Sequence, residues 1–266
     1  GDTENSEAYS LAKRGQERLE GFSRNETKEA EELFQKAIAL DPNYADAYFG
    51  LARTEFLSRL VSLKKPEDSI PSAKRYLEKA LELNPSHVES RLHKLIIALK
   101  QDRQTKNISE NIDSLLSKHQ NNPIVLREVA IIYLHSNQVK KAITILNQGL
   151  GLDPKNSWLH AELAIAHYLA GNLELSETHN TESLILKPYL QVSLHIRSLI
   201  LTKQNRFVEI EEQLKKAIQN DDKNPVTMMS LGIVYWRSGK KEEAYKLLTE
   251  LLDRRNFEYI KGGILA

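Results

Sequence analysis

Apolar residues recur along this chain at the spacing of amphipathic helices, and short breaks separate one helix from the next. The stretch "LFQKAIALDPNYADAYFGLA", residues 33–52, predicts one amphipathic helix, a stop at Pro42 and a second helix rich in alanine and aromatic residues. Proline ends a helix because it has no N–H to donate and biases the preceding residue away from the helical conformation. The pattern therefore predicts a junction between two helices at residues 41–43.

Helix-ending prolines recur throughout the chain. They stand at Pro42, Pro85, Pro123, Pro154, Pro188 and Pro225. The intervals between them are 43, 38, 31, 34 and 37 residues, which indicates units with a period near 34. An isolated pair of amphipathic helices would say little, but recurrence in one frame favours a repeat over an unrelated helical bundle.

The last unit shows the internal pattern of this repeat. In "MMSLGIVYWRSGKKEEAYKLLTELL", residues 228–252, Met228, Leu231 and Tyr235 share one face of a first helix. Gly239 follows in the turn, and Ala244 begins the apolar face of a second helix. This pattern resembles the tetratricopeptide repeat (TPR), and the resemblance covers essentially the full chain. It implies an all-α fold, a right-handed superhelical solenoid of about seven antiparallel helix pairs.

A single TPR solenoid is predicted for residues 1–266. Its approximate units are 7–42, 43–85 with an insertion near 58–72, 86–123, 124–154, 155–188, 189–225 and 226–260. The C-terminal sequence "FEYIKGGILA" supplies no obvious polar capping helix. The apolar end of the stack is therefore expected to be uncapped, which would allow oligomerisation through it.

A second resemblance concerns the opening of the chain. Residues 8–52 look like the start of the TPR regions of bacterial winged-helix transcriptional regulators or nucleotide cyclases. This likeness implies the sensory or input region of a larger membrane-bound signalling protein that responds to a partner or a small ligand. Neither DNA-binding nor cyclase residues are present in this chain.

Charge and composition exclude several kinds of site. The net charge is +1, from 37 basic and 36 acidic residues, so there is no electrostatic reason to expect nucleic acid. No apolar stretch approaches 18 residues, so no membrane insertion is expected. The chain contains no cysteine, which suits an oxidising compartment, and we favour an extracytoplasmic (periplasmic) location for a soluble protein. No catalytic constellation or phosphate-binding loop is recognisable, so we predict no enzymatic activity and no cofactor.

The histidines are the first candidates for special chemistry. His160 and His167 lie seven residues apart on one helical face, with His135 and His179 in neighbouring helices. Because the spacing matches no metal motif and no cysteine accompanies them, we interpret them as packing residues and predict no metal site. Metal binding is the alternative.

The unit 155–188 departs from the repeat pattern. Asn180 stands at a large apolar position, and Arg197 takes the usual leucine position of the next unit. Together with His167 they predict a buried polar cluster, because buried polar groups need hydrogen-bond partners. The cluster would be either a structural network or a polar anchor for a ligand or a hinge.

In TPR proteins the first helix of each pair lines an inner groove, and the resemblance assigns groove residues here. They are Phe49, Arg53, Phe56, Arg127, Ile131, Trp158, Ile165, Tyr168, His195, Met229, Ile233, Trp236 and Arg237. A surface with this many aromatic, apolar and arginine side chains is typical of partner interfaces. We therefore predict a scaffold that binds a protein or peptide with an apolar segment. The alternative is that the groove fills itself.

Overall fold

The structure is a computed structural model, and it describes residues 3–21, 23–61, 63–102, 112, 115–220 and 224–255. All the regular secondary structure in these residues is helical. The described helices are α1 Ser6–Leu19, α2 Arg24–Leu40, α3 Ala45–Leu60, α4 Pro66–Leu83, α5 Val88–Asp102, α6 Pro123–His135, α7 Val139–Leu152, α8 Ser157–Leu169, α9 Leu173–Leu186, α10 Gln191–Lys203, α11 Phe207–Asn220, α12 Pro225–Arg237 and α13 Lys241–Arg255. The sequence "FEYIKGGILA", on which the prediction of an uncapped end rests, lies outside the described residues.

The chain divides into two compact units. Unit 1 comprises residues 1–85 and 197–266, and unit 2 comprises residues 86–196. In unit 1, α1 packs on α2, α2 on α3 and α3 on α4, and α12 packs on both α11 and α13. In unit 2, α6 packs on α5 and α7, and α8 packs on α7 and α9. Sequential helices are therefore spatial neighbours, as expected for stacked hairpins.

Turns inside the hairpins recur at a constant spacing. Asn137, Gly171, Asn205 and Gly239 have φ of 58°, 82°, 58° and 84°, and each follows its neighbour by 34 residues. Glycine and asparagine tolerate this left-handed conformation better than other residues. A residue in this conformation ends a helix, because the following backbone N–H groups can then donate to the last carbonyls of the helix. After α6, for example, the Gln138 N–H donates to the Tyr133 carbonyl at 2.8 Å.

Asparagine also begins several helices. The side-chain oxygens of Asn5, Asn122, Asn156 and Asn224 each accept a hydrogen bond from a backbone N–H in the first turn of the helix that follows. In α6 and α12 a proline follows directly, at a position where its missing N–H costs nothing. Start and stop signals thus lie within a few residues of each helix end.

The predicted insertion near residues 58–72 lies partly inside helices. α3 has 16 residues and α4 has 18, whereas α6, α8 and α12 have 13 each. Pro66 takes the first position of α4, and Pro71 lies within that helix. Much of the extra sequence therefore lengthens the second hairpin.

Close packing in the first hairpins depends on two glycines. Phe34 is completely buried at the centre of a cluster that includes Ala12, Ala30 and Leu51. Its ring lies against Gly15 of α1 and Gly50 of α3, and a side-chain carbon at Gly50 would overlap with the ring. The small residues let three helices approach one aromatic side chain.

Candidate functional site

The last hairpin, α12–α13, exposes aromatic and apolar side chains. Trp236 is 50% exposed and Ile233 is 41% exposed on α12. The Tyr245 ring of α13 meets the Trp236 ring edge to face, with centroids 5.9 Å apart and planes at 87°, and is itself 57% exposed. The Lys241 ammonium lies 5.3 Å from the Trp236 ring centroid. We call Ile233, Trp236 and Tyr245 the α12–α13 patch.

Two other predicted groove residues lie on the same helix. Met229 is half-buried and packs against the cluster of Met228 and Leu251, whereas Arg237 is exposed. Met229 therefore contributes mainly to packing of the hairpin, and Arg237 adds positive charge beside the α12–α13 patch.

In unit 2, the face of Trp158 on α8 is covered by a positioned arginine. The Arg127 guanidinium carbon lies 5.2 Å from the Trp158 ring centroid, and its Nη2 lies 2.7 Å from Glu128 Oε1. The other oxygen of Glu128, which is almost fully buried, lies 3.5 Å from His93 Nδ1. The Arg127 side chain is thus held between an aromatic face and a carboxylate.

The remaining predicted groove residues of unit 2 are only partly accessible. They are Ile131 of α6, Ile165 and Tyr168 of α8, and His195 of α10, all half-buried. Burial lowers the pKa of His195, which favours its neutral form.

The structure corrects the expectation of open aromatic side chains on α3. Phe49 and Phe56 are only 6% and 8% exposed. The guanidinium carbon of Arg53 lies 5.9 Å from the Phe49 centroid, and that of Arg59 lies 4.3 Å from the Phe56 centroid. A cation lies over each ring, and neither ring presents an open face to a partner in this structure.

Buried polar side chains of α9 pair with backbone carbonyls of the neighbouring helices. On α9, the Ser176 hydroxyl donates to the Ala164 carbonyl at 2.7 Å, and the Ser183 hydroxyl donates to the Ser157 carbonyl at 2.8 Å. The amide of Asn180, which is fully buried, donates to the Ser193 carbonyl of α10 at 2.8 Å. Hydrogen bonds therefore replace part of the apolar packing seen in the other hairpins.

His167 lies in the same hairpin, and Arg197 is engaged elsewhere. His167 is 7% exposed and its ring is parallel to that of His179, with centroids 5.6 Å apart. Arg197, which belongs to unit 1, forms an ion pair with Glu209 at 2.6 Å. A common cluster of His167, Asn180 and Arg197 stays a prediction.

Sequence reasoning missed a direct contact between two histidines. His160 Nδ1 lies 3.2 Å from His179 Nδ1, and His160 Nε2 lies 3.2 Å from the Pro154 carbonyl oxygen. Burial, together with the nearby His160 and His167, lowers the pKa of His179 to about 4, and burial lowers the pKa of His167. The residues 34 positions earlier, Leu126 and Ile145, are both apolar, so the repeat frame marked two polar replacements but did not indicate that they touch.

Comparison with known proteins confirms the TPR resemblance. Residues 20–54 match the family model described as "TPR repeat". A human protein, "Protein O-mannosyl-transferase TMTC3", is 23% identical over 264 residues, which cover 91% of this chain and 27% of that protein. The chain thus spans about a quarter of this relative's length.

Solved structures confirm the fold class, an all-α solenoid of TPR type. A monomeric mutant of IFIT1 with m7Gppp-AAAA has a TM-score of 0.74 at 16% identity, covering 92% of this chain and 58% of that one. Yeast Tom70 has a TM-score of 0.62 at 20% identity, covering 94% and 54%. At these identities the likeness extends to the fold alone. The likeness to bacterial regulators or cyclases is not supported by these matches. Among the described helices, none is long and apolar enough to cross a bilayer.

Proposed function

We propose that this chain is a non-enzymatic scaffold that binds a protein or peptide through an apolar segment of the partner. The observation that carries the proposal is the α12–α13 patch, in which Trp236 and Tyr245 are each at least half exposed. An exposed aromatic pair with arginine and lysine close by is the composition that binding hot spots favour. The neighbouring Arg237 and Lys241 favour a partner segment that also carries acidic residues.

The other predicted groove residues fit this proposal to different degrees. Trp158 and Tyr168 could add contacts in unit 2, since both are only half-buried. Phe49 and Phe56 are nearly buried, so we assign the α3 surface a smaller part. RNA is not proposed, because a net charge of +1 gives no general attraction to phosphates. Transferase activity is not proposed either, because the match covers only 27% of that relative.

A peptide-display selection tests the proposal without knowledge of the natural partner. Peptides are selected on the immobilised full chain, and their affinities are measured for the wild type, Trp236→Ala and Val208→Ala. Val208 is the matched control, because it is an exposed apolar residue, 81% accessible, on α11 of the same unit and outside the patch. Circular dichroism and thermal melting confirm that the variants remain folded.

The expected result is a loss of about tenfold or more in affinity for Trp236→Ala, since truncation of a hot-spot residue costs ~2 kcal/mol. Val208→Ala should bind like the wild type. Equal binding by both variants, or no selected peptide, would contradict the proposal. A collapsed fold in Trp236→Ala would show that this side chain belongs to the core.

A further inference from the structure

The two facing histidines of the α8–α9 hairpin have the separation of two ligands on one metal ion. Zinc binds imidazole nitrogen at about 2.0–2.1 Å with tetrahedral geometry, which separates two such nitrogens by about 3.4 Å. The Nδ1 atoms of His160 and His179 lie 3.2 Å apart. A small adjustment of the rings would let both lone pairs point at one ion.

The proton arrangement of His160 fits a metal ligand. The Pro154 carbonyl can only accept a hydrogen bond, so the Nε2 atom 3.2 Å away carries the proton and Nδ1 carries the lone pair. A backbone carbonyl that orients the second nitrogen is the usual outer partner of a metal-bound histidine. Without a metal, the Nδ1–H of His179 would donate to this lone pair, so metal binding requires His179 to carry its proton on Nε2 and leave Nδ1 with a lone pair.

A third histidine, His167, lies beside this pair, and its ring is parallel to that of His179 with centroids 5.6 Å apart. His167 is only 7% exposed, and its Nδ1 atom has no hydrogen-bond partner among the described residues. His179 is only half-buried, so part of this residue is accessible to solvent.

We propose that His160 and His179 bind a divalent metal ion such as Zn²⁺ through their Nδ1 atoms, with water at the remaining coordination positions of the ion. The described residues contain no group of three or more potential ligands arranged around one point. The site therefore has two protein nitrogens, and modest affinity is expected. Imidazole suits Zn²⁺, Cu²⁺ and Ni²⁺, whereas Mg²⁺ and Ca²⁺ prefer oxygen ligands, so magnesium should not compete.

Calorimetric titration of the tag-free full chain with Zn²⁺ tests this site, with Mg²⁺ as the comparison ion. The variants are His160→Gln and His179→Gln. His119→Gln is the matched control, because His119 belongs to the same unit but precedes α6, outside the α8–α9 hairpin. Wild type and control should bind one Zn²⁺ with the same affinity, and each ligand variant should bind at least tenfold more weakly.

If a ligand variant fails to fold, ¹⁵N NMR of the histidine rings in the wild type identifies which histidines bind Zn²⁺. Zn²⁺ should shift the Nδ1 resonances of His160 and His179 and leave the ring of His119 unchanged. Absence of zinc binding, or equal binding by wild type and folded ligand variants, would overturn the proposal. So would zinc-induced shifts confined to other histidines.

Discussion

His179 should make the stability of this protein sensitive to mild acid. Its pKa is about 4 in the folded chain and 6.5 when it is exposed, so the folded state resists protonation that the unfolded state accepts. The stability contributed by the neutral ring is therefore fully present above pH 6.5 and is lost as the pH falls towards 4. The lowered pKa of His167 acts in the same direction.

The size of the expected stability loss follows from the shift in the pKa of His179. A full shift of 2.5 units corresponds to about 3.4 kcal/mol below pH 4, and linkage gives about 2 kcal/mol at pH 5.0 relative to pH 7.5. Solvent screens a half-buried group, and we reduce the expected loss at pH 5.0 to about 1 kcal/mol. A loss of this size is a measurable fraction of the stability of an ordinary domain.

Urea unfolding followed by circular dichroism measures this loss at pH 7.5 and pH 5.0. EDTA is present throughout, so that metal binding does not contribute. The His179→Gln variant removes the titrating group and should lose about 1 kcal/mol less than the wild type between the two pH values. His119→Gln should follow the wild type. Equal losses in the wild type and His179→Gln would refute the reasoning, because the titratable groups outside this hairpin are present in both proteins.

Two further substitutions test the packing. Gly50→Ala should destabilise the fold by about 1–3 kcal/mol, because the new methyl group overlaps with the buried Phe34 ring. Gly151→Ala is the control, because a side-chain carbon at Gly151 meets nothing within 4 Å. This substitution should leave the melting temperature unchanged or slightly higher. Equal destabilisation by Gly50→Ala and Gly151→Ala would contradict this reasoning. Asn180→Ala should cost about 2 kcal/mol in urea unfolding, since it removes a buried hydrogen bond to the next helix. Asn147→Ala, on an exposed position of α7, should cost almost nothing, and a similar cost at both positions would show that the Asn180 bond is not stabilising.

The hairpins and their turns could be predicted from the sequence because the determinants are local. A proline, a capping asparagine or a left-handed glycine acts on the residues directly beside it. The four positive-φ turns from Asn137 to Gly239 therefore keep the spacing of the sequence repeat. Position within the repeat also assigned Trp236 and Ile233 to the inner groove; both are exposed, and their place in a groove stays a prediction.

Which predicted groove residues are covered by neighbouring side chains could not be predicted in the same way. The ring of Phe56 lies under the guanidinium of Arg59, a contact that the apolar pattern does not encode. A cation over an aromatic ring is favourable, so a surface arginine can bury an aromatic residue that periodicity assigns to a groove. The same limitation applies to His160 and His179, whose contact depends on how one helix is placed along the other.

Three contacts at successive turns determine that placement. Ser176, His179 and Ser183 lie on one face of α9, at intervals of three and four residues, and meet Ala164, His160 and Ser157 of the antiparallel helix α8. The two serine hydroxyls each bond to a backbone carbonyl, one on either side of the histidine pair. Hydrogen bonds to backbone restrict sliding of one helix along the other more strongly than apolar packing does, because they are directional. The spacing of the imidazole nitrogens is therefore set by the hairpin before any ion arrives, which is the preorganisation that a two-ligand site requires.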